Sequence, residues 1–129
     1  MSIMGIGTNI LGYGHPEVDA AVARTVADGN MSTFNCPEEV YLAEKLIELH
    51  PWAEMARFAR SGGEANAIAI RIARAASGRD KVAVCGYHGW QDWYIGSTTR
   101  HLGVPECVRE LTHKFEYNNL DRKSTRLNS

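Results

Sequence analysis

The chain has 129 residues, the length of about one ordinary domain, and its 44% apolar and 22% charged residues give the balance of a soluble globular protein. A net charge of −1 gives no electrostatic basis for binding nucleic acid, and no apolar run is long enough to span a membrane. The three cysteines are widely spaced and form neither a disulfide framework nor a metal-binding pair, so no metal is expected. Because the N-terminus lacks a signal-peptide pattern, a cytoplasmic location is the expectation.

Residues 1–50 are predicted to form a glycine-rich loop followed by two helices. From composition alone, the loop is a flexible connector. Pro16 suits the first turn of a helix that Gly29 ends, and this order of proline and glycine is typical of helix boundaries. Cys36-Pro37 begins a second helix, and His50 closes it because a proline follows.

Residues 51–120 are predicted to begin an α/β domain. The apolar run 55–60 is interpreted as a strand, the pattern over 64–76 as a helix and the run 81–86 as a second strand. Strand, helix and strand in this order predict a βαβ unit with a parallel sheet and a right-handed crossover. The buried face of the helix is expected to comprise Ala65, Ile68, Ala69, Ile72, Ala73 and Ala76, with Arg71 and Arg74 in solvent.

A glycine turn, Ser61-Gly62-Gly63-Glu64, joins the first predicted strand to the helix. Ser61 followed by Glu64 is a capping box, a purely structural way to begin a helix. A capping box does not need glycine, and Gly62 and Gly63 would each weaken the helix by about 1 kcal/mol relative to alanine. Close approach of an anion would favour both glycines, so phosphate binding stands beside the structural interpretation. The turn matches neither the P-loop nor the dinucleotide-binding fingerprint.

An aromatic segment, residues 87–93, follows the second predicted strand. Ligands bind at the carboxyl ends of parallel strands, so Tyr87 should lie on the same edge of the sheet as the glycine turn. A ring beside a phosphate site suggests a flat ligand with a phosphate tail, stacked on Tyr87. The alternative is that the rings pack a core, and this is the favoured interpretation for Trp90 and Trp93.

The last predicted elements are a short helical turn at 105–111 and a strand at 113–117. Residues 121–129 have three basic side chains and no periodicity, which indicates a disordered tail. This segment also matches the translation of a common sequencing-library adapter. It is therefore interpreted as a non-native, adapter-derived tail without a function.

Four motifs follow one another along the chain, and the ordered set is far more specific than any one of them. They are Leu11-Gly12-Tyr13-Gly14-His15-Pro16-Glu17-Val18, Ser61-Gly62-Gly63-Glu64-Ala65-Asn66-Ala67, Arg71-Ile72-Ala73-Arg74-Ala75-Ala76-Ser77-Gly78-Arg79 and Tyr87-His88-Gly89-Trp90. With this set the chain resembles the class III aminotransferases, which are fold type I enzymes that use pyridoxal 5′-phosphate. The resemblance is strongest to the glutamate-1-semialdehyde aminomutase-like members.

The resemblance implies a partial fold type I aminotransferase. Residues 1–50 would supply N-terminal helices, and residues 51–120 would be the first βαβ part of the large cofactor-binding domain. The chain would thus be an N-terminal piece of a longer enzyme, with 121–129 outside the native sequence.

The resemblance also implies a cofactor site. The backbone of Ser61, Gly62 and Gly63 would cradle the phosphate of pyridoxal 5′-phosphate at the helix N-terminus. Tyr87 would stack on the pyridine ring, with His88 shaping the turn behind it. Many relatives carry threonine or serine where this chain has Gly63, so backbone N–H contacts are the ones expected here.

The implied parent enzyme transfers an amino group between a small-molecule donor and acceptor, or within one molecule, and works as a homodimer. In the family, the lysine that forms the Schiff base and the acid that pairs with the pyridine nitrogen lie well downstream of the Tyr-His-Gly motif. Lys114 and Lys123 are not in the matching context, so no catalytic residue is assigned and this piece alone is expected to be inactive. The alternative hypothesis is a non-catalytic α/β module that uses the same glycine turn to bind a phosphorylated ligand.

Overall fold

The computed structural model describes residues 4–29 and 33–119. The chain divides into two compact units, Met1–Ala56 and Arg57–Ser129. The described elements are a short 3-10 turn at Met4–Gly7, the helices α1 (Pro16–Asp28), α2 (Pro37–Leu49), α3 (Gly62–Ser77), α4 (Asp92–Ile95) and α5 (Glu106–Arg109), and the strands β1 (Val82–Val84) and β2 (Thr112–Lys114). None of these described helices combines the length and the apolar character that crossing a membrane requires.

The two helices of the first unit have the boundaries that the sequence predicts. Proline occupies the first turn of both α1 and α2, where its missing N–H has no intrahelical acceptor to lose. Gly29 ends α1 with a φ of 117°, which glycine adopts without strain, and its amide bonds back to the carbonyls of Thr25 and Val26. His50 caps α2 through amide bonds to two carbonyls of the last turn.

The second unit contains a small parallel sheet formed by β1 and β2, which confirms the predicted α/β class. The predicted βαβ unit, in which strand 55–60 pairs with strand 81–86 across the α3 helix, is wrong, because β1 pairs with β2 instead. The predicted strand 81–86 is confirmed at its centre, and the predicted strand 113–117 begins at Thr112 instead. The crossover between the strands contains α4 and α5 rather than α3. The register pairs Val82 with Thr112, Ala83 with His113 and Val84 with Lys114.

The prediction of a strand at 55–60 is wrong. These residues are irregular in the structure, and Met55 is 85% exposed. A strand needs a neighbour for its backbone hydrogen bonds. The described part of the chain pairs β1 with β2 and places no ladder partner beside residues 55–60. The helix that follows this run is therefore preceded by an irregular segment rather than by a sheet strand.

Helix α3 covers the predicted range and begins two residues earlier, at Gly62. Gly78 ends it in the left-handed conformation, with a φ of 66°. The predicted buried face is wrong: its Ile72 is 59% exposed. The half-buried positions are instead Gly63, Asn66, Ala67, Ile68, Ile70 and Arg74, of which only Ile68 was expected. Because α3 is apolar on more than one side, its periodicity does not determine which side faces the rest of the unit.

The prediction that Arg74 lies in solvent is wrong. The residue is half-buried, and its Nε donates a hydrogen bond of 2.8 Å to the carbonyl of Asp80. This bond joins the last turn of α3 to the residues that lead into β1.

The core of the second unit forms around Tyr94, which is 4% exposed. Its hydroxyl donates a hydrogen bond of 2.8 Å to the carbonyl of Gly86, and Lys114 Nζ lies 5.5 Å from the ring centroid. Val84 and Thr112, one from each strand, are also buried, as are Gly89 and Gly96. Tyr94 therefore joins α4 to β2 through Lys114 and to the loop after β1 through the Gly86 carbonyl.

Of the two tryptophans predicted to pack a core, Trp93 does so, with its ring 5.8 Å from that of Tyr94, and Trp90 does not. Trp90 is 73% exposed, because it lies in the loop before α4. Trp93 is half-buried on α4, and its carbonyl accepts a hydrogen bond from the Thr112 hydroxyl. The most buried aromatic residue of this core is Tyr94, which follows Trp93 on α4.

Replacing Tyr94 with phenylalanine should lower the free energy of unfolding by about 0.5–1.5 kcal/mol, because the Gly86 carbonyl loses its donor and the ring stays in place. Tyr41→Phe is the matched control: this ring is 66% exposed on α2. Loss of the Tyr41 hydroxyl should change the free energy of unfolding by less than about 0.5 kcal/mol. Urea unfolding measures both, and equal effects would contradict the assigned role of the Tyr94 hydroxyl.

Candidate functional site

The N-terminus of α3 is capped by its own side chains. Ser61 Oγ accepts a hydrogen bond of 3.3 Å from the amide of Glu64, which confirms the predicted serine cap. Glu64 Oε2 accepts a hydrogen bond of 3.0 Å from the amide of Arg60. The reciprocal bond of the capping box thus falls one residue earlier than usual. The amides of Gly62 and Gly63, the first two of the helix, have no carbonyl within the helix to bond.

These two glycines have different surroundings. A Cβ on Gly62 would meet nothing within 4 Å. A Cβ on Gly63 would lie 2.3 Å from Gln91 Oε1 and 2.6 Å from Gln91 Nε2. The space beside Gly63 is therefore filled by a side chain, while the space beside Gly62 is open to a ligand. Packing by itself explains Gly63, whereas no packing contact among the described residues explains Gly62.

The loop after β1 contacts the first turns of α3. A Cβ on Gly89 would lie 2.9 Å from the Cα of Gly63, so the two backbones touch. Asn66 Nδ2 donates a hydrogen bond of 3.4 Å to the carbonyl of His88. The structure therefore brings the glycine turn and the loop that carries Tyr87 together.

Tyr87 presents its ring to solvent. The residue is 78% exposed, and an edge contact with Tyr94 at 5.7 Å between centroids and 85° between planes orients it. The ring therefore has a large accessible surface on which a flat ligand can stack.

His88 braces the loop behind this ring. Its Nε2 lies 2.7 Å from the carbonyl of Cys85 and donates to it. Its ring packs edge-on against Tyr94 at 5.4 Å and stacks on Trp93 at 6.3 Å. These contacts use both the polar and the apolar parts of the imidazole, so His88 shapes the loop rather than facing a ligand.

A cleft of about 530 Å³ opens beside the first turns of α3. Its lining combines apolar side chains with the charged Arg60 and Glu64 and the carboxamide of Gln91. Gln91 Oε1 is buried and has no hydrogen-bond donor among the described residues. The lining residues are Phe58, Ala59, Arg60, Glu64, Ala67, Ile68 and Gln91.

The described residues fit a phosphorylated aromatic ligand. The open space beside Gly62 leaves the positive end of α3 accessible to an anion, and the exposed Tyr87 ring lies on the loop that contacts the same helix end. Asn66 and Gln91, which connect the two parts, were not expected from the sequence. Their partners are distant along the chain, and no local pattern identifies them.

Comparison with known proteins gives a match to the family described as aminotransferase class-III over residues 2–127. This range includes most of 121–129, which lies outside the described residues, so its interpretation as a non-native tail stays a prediction. The 3-aminobutyryl-CoA aminotransferase of Cloacimonas acidaminovorans (strain Evry) is 38% identical over 117 residues, covering 89% of this chain and 27% of its own length. The glutamate-1-semialdehyde 2,1-aminomutase of Desulfatibacillum aliphaticivorans is 40% identical over 128 residues, covering 89% and 30%.

A solved structure has the same fold over nearly the whole chain. The FumI protein of Sphingopyxis sp. MTA144, solved in its PLP internal aldimine form, matches with a TM-score of 0.84 and 28% identity. The match covers 98% of this chain and 30% of that protein. The chain thus spans less than a third of the length of these relatives.

Gly89→Ala should be clearly less stable than Gly86→Ala. Both glycines have positive φ, 112° and 89°, so both substitutions carry the same kind of backbone strain, of about 1–3 kcal/mol. A Cβ on Gly86 meets nothing within 4 Å, whereas a Cβ on Gly89 meets the Gly63 backbone. The contact should add about 1–3 kcal/mol of overpacking to the Gly89 variant. Urea unfolding of both variants isolates this difference, and equal losses would show that the two backbones are not in close contact.

Proposed function

The chain belongs to the class III aminotransferase family, and we propose that it forms part of an enzyme that moves an amino group with pyridoxal 5′-phosphate as its cofactor. The reaction would be a transfer between two small molecules, as the name of the Cloacimonas relative states for that protein, or an internal transfer, as the aminomutase name states for the other. The observation that carries the proposal is the contact between the open helix N-terminus and the loop bearing the exposed Tyr87.

Each part of this arrangement has a distinct task in the proposal. The amides of Gly62 and Gly63 donate hydrogen bonds to the phosphate at the positive end of α3, with Ser61 turning the chain into the helix. Tyr87 stacks on the flat ring of the cofactor, and His88 holds the loop in place. When bound, the cofactor supplies an electron sink for chemistry at the amino-bearing carbon.

No residue of this chain is proposed to act as a catalyst. Lys114 lies on β2 and packs its Nζ over the Tyr94 ring, so it serves the core of the second unit. We infer that the lysine that holds the cofactor lies in a part of the protein outside this chain, and that the chain alone does not turn over an amino donor. The whole protein is proposed to act in the cytoplasm as a homodimer, as the family resemblance implies.

Gly62→Asp separates phosphate binding from helix stability. An aspartate at the first helical position should keep or raise the stability of the chain, because it complements the helix dipole and its side chain enters open space. The same charge should weaken binding of pyridoxine 5′-phosphate by about tenfold or more, since it repels the phosphate at close range. This probe lacks the aldehyde that would react with surface lysines, and isothermal titration calorimetry measures its affinity.

Gly62→Asn is the control for that change, because it has the same shape without the charge. It should bind the probe more tightly than the aspartate variant. If Gly62→Asp and the wild type bound pyridoxine 5′-phosphate with equal affinity, the phosphate would not bind at this end of α3.

Tyr87→Ala tests the stacking role. Loss of the ring should weaken binding of pyridoxine 5′-phosphate by about tenfold, which corresponds to an aromatic pair worth on the order of 1 kcal/mol beyond its buried area. Binding of inorganic phosphate, which has no ring, should be unchanged. Tyr117→Ala removes another tyrosine, 88% exposed, and should affect neither ligand. A Tyr87 variant that lost affinity for both ligands equally would indicate a disturbed loop instead of lost stacking.

A further inference from the structure

The side chain of Gln91 occupies the space in which a side chain at position 63 would begin. Its Oε1 and Nε2 lie 2.3 and 2.6 Å from the place of a Cβ on Gly63, and Oε1 lies 2.6 Å from the place of a Cβ on Gly89. The carboxamide is therefore seated between two glycines. Since neither glycine has a side chain, this end of α3 has room for a polar group that another part of the chain provides.

The seated carboxamide is not satisfied by the described part of the chain. Oε1 is buried and has no donor there. Buried polar atoms are almost always paired, so an unpaired one points to a group that is not among these residues. The donor atom of the carboxamide, Nε2, lies at the same end of α3, 2.6 Å from the place of a Cβ on Gly63, and it is not one of the buried unpaired atoms. This donor needs an acceptor, and the adjacent helix amides favour an anionic one.

We propose that Gln91 donates a side-chain hydrogen bond to the phosphate group of the ligand at the N-terminus of α3, in the place of a hydroxyl-bearing residue at position 63. This inference rests on the proposed function, because the phosphate is that of the proposed cofactor. It identifies a binding residue from the loop after β1 that the glycine turn alone does not reveal. Gln91 would thus link the phosphate to the loop that presents Tyr87.

The charges near Gln91 are compatible with this role. Arg60 and Glu64 line the same cleft. Glu64 directs one carboxylate oxygen to the amide of Arg60, at 3.0 Å, so part of its charge is engaged at the helix cap. A neutral donor at position 91 adds a hydrogen bond to an anion without adding a charge to the cleft.

The test uses the 129-residue chain with two probes, inorganic phosphate and pyridoxine 5′-phosphate. Affinities come from calorimetry, and the amide chemical shifts of Gly62 and Gly63 report binding at the helix end. Gln91→Met keeps the length of the side chain without a donor and should bind both probes about ten- to hundredfold more weakly, the range for one hydrogen bond to a charged group. Gln91→Glu keeps the shape with a negative charge and should bind more weakly still.

A rescue distinguishes hydrogen bonding from packing. Gln91→Ala should lose affinity, and adding Gly63→Ser to it should restore affinity, because the serine hydroxyl then fills the vacated space with a donor. Thermal unfolding of each variant establishes that the compared proteins are folded. If a single variant does not fold, the affinity of the double variant is compared with that of the wild type.

Four outcomes are possible. Loss of affinity in the Gln91 variants without rescue by serine indicates a packing role and overturns the proposed hydrogen bond. Weaker binding by the methionine variant together with rescue by serine supports the role of Gln91. Unchanged affinity in the methionine and glutamate variants overturns it, with the phosphate turn itself intact. Wild-type Gly62 and Gly63 amides that do not respond to either probe overturn the proposed phosphate site, and the inference about Gln91 with it.

Discussion

The direct contact between the backbones of Gly63 and Gly89 is the constraint on which the candidate site depends. With only 2.9 Å between the place of a Cβ on Gly89 and the Cα of Gly63, no side chain can separate the helix from the loop. Only glycine allows two backbones to approach this closely. The contact places the amides of α3 beside the loop that presents Tyr87. Both parts of the proposed cofactor site therefore rely on the absent side chain of Gly89.

The parts of the fold that follow from local chemistry could be predicted from the sequence. Pro16 and Pro37 begin their helices because proline suits the first turn, and Gly29 and Gly78 end helices because glycine tolerates positive φ. Ser61 caps α3 through its own hydroxyl, which is again a local interaction. Each of these signals acts within a few residues and needs no knowledge of the rest of the molecule.

Features that depend on distant partners could not be predicted. The run 55–60 has the composition of a strand, but a strand forms only where another is available to pair with it. Which side of α3 is half-buried depends on where the rest of the unit packs, and local periodicity predicts neither the half-buried Arg74 nor the exposed Ile72. Likewise, Asn66 donates a hydrogen bond to the carbonyl of His88, which is 22 residues away along the chain. The side chain of Gln91 fills the space beside Gly63. The glycine turn and Tyr87 were singled out from local sequence features, and the resemblance of the ordered motifs to a family points to the same residues.

The pairing of β1 with β2 has a consequence for local unfolding. Val84 pairs with Lys114, so the sheet closes a loop that contains the Tyr87 segment, α4 and α5. Closing such a loop costs chain entropy, which two three-residue strands and the Tyr94 core must offset. Separation of β2 would therefore release the segment that carries Tyr87 and leave the capped N-terminus of α3 formed. The glycine turn and the Tyr87 loop are thus held by different elements, α3 and the β1–β2 sheet, and the contact between Gly63 and Gly89 is where they meet.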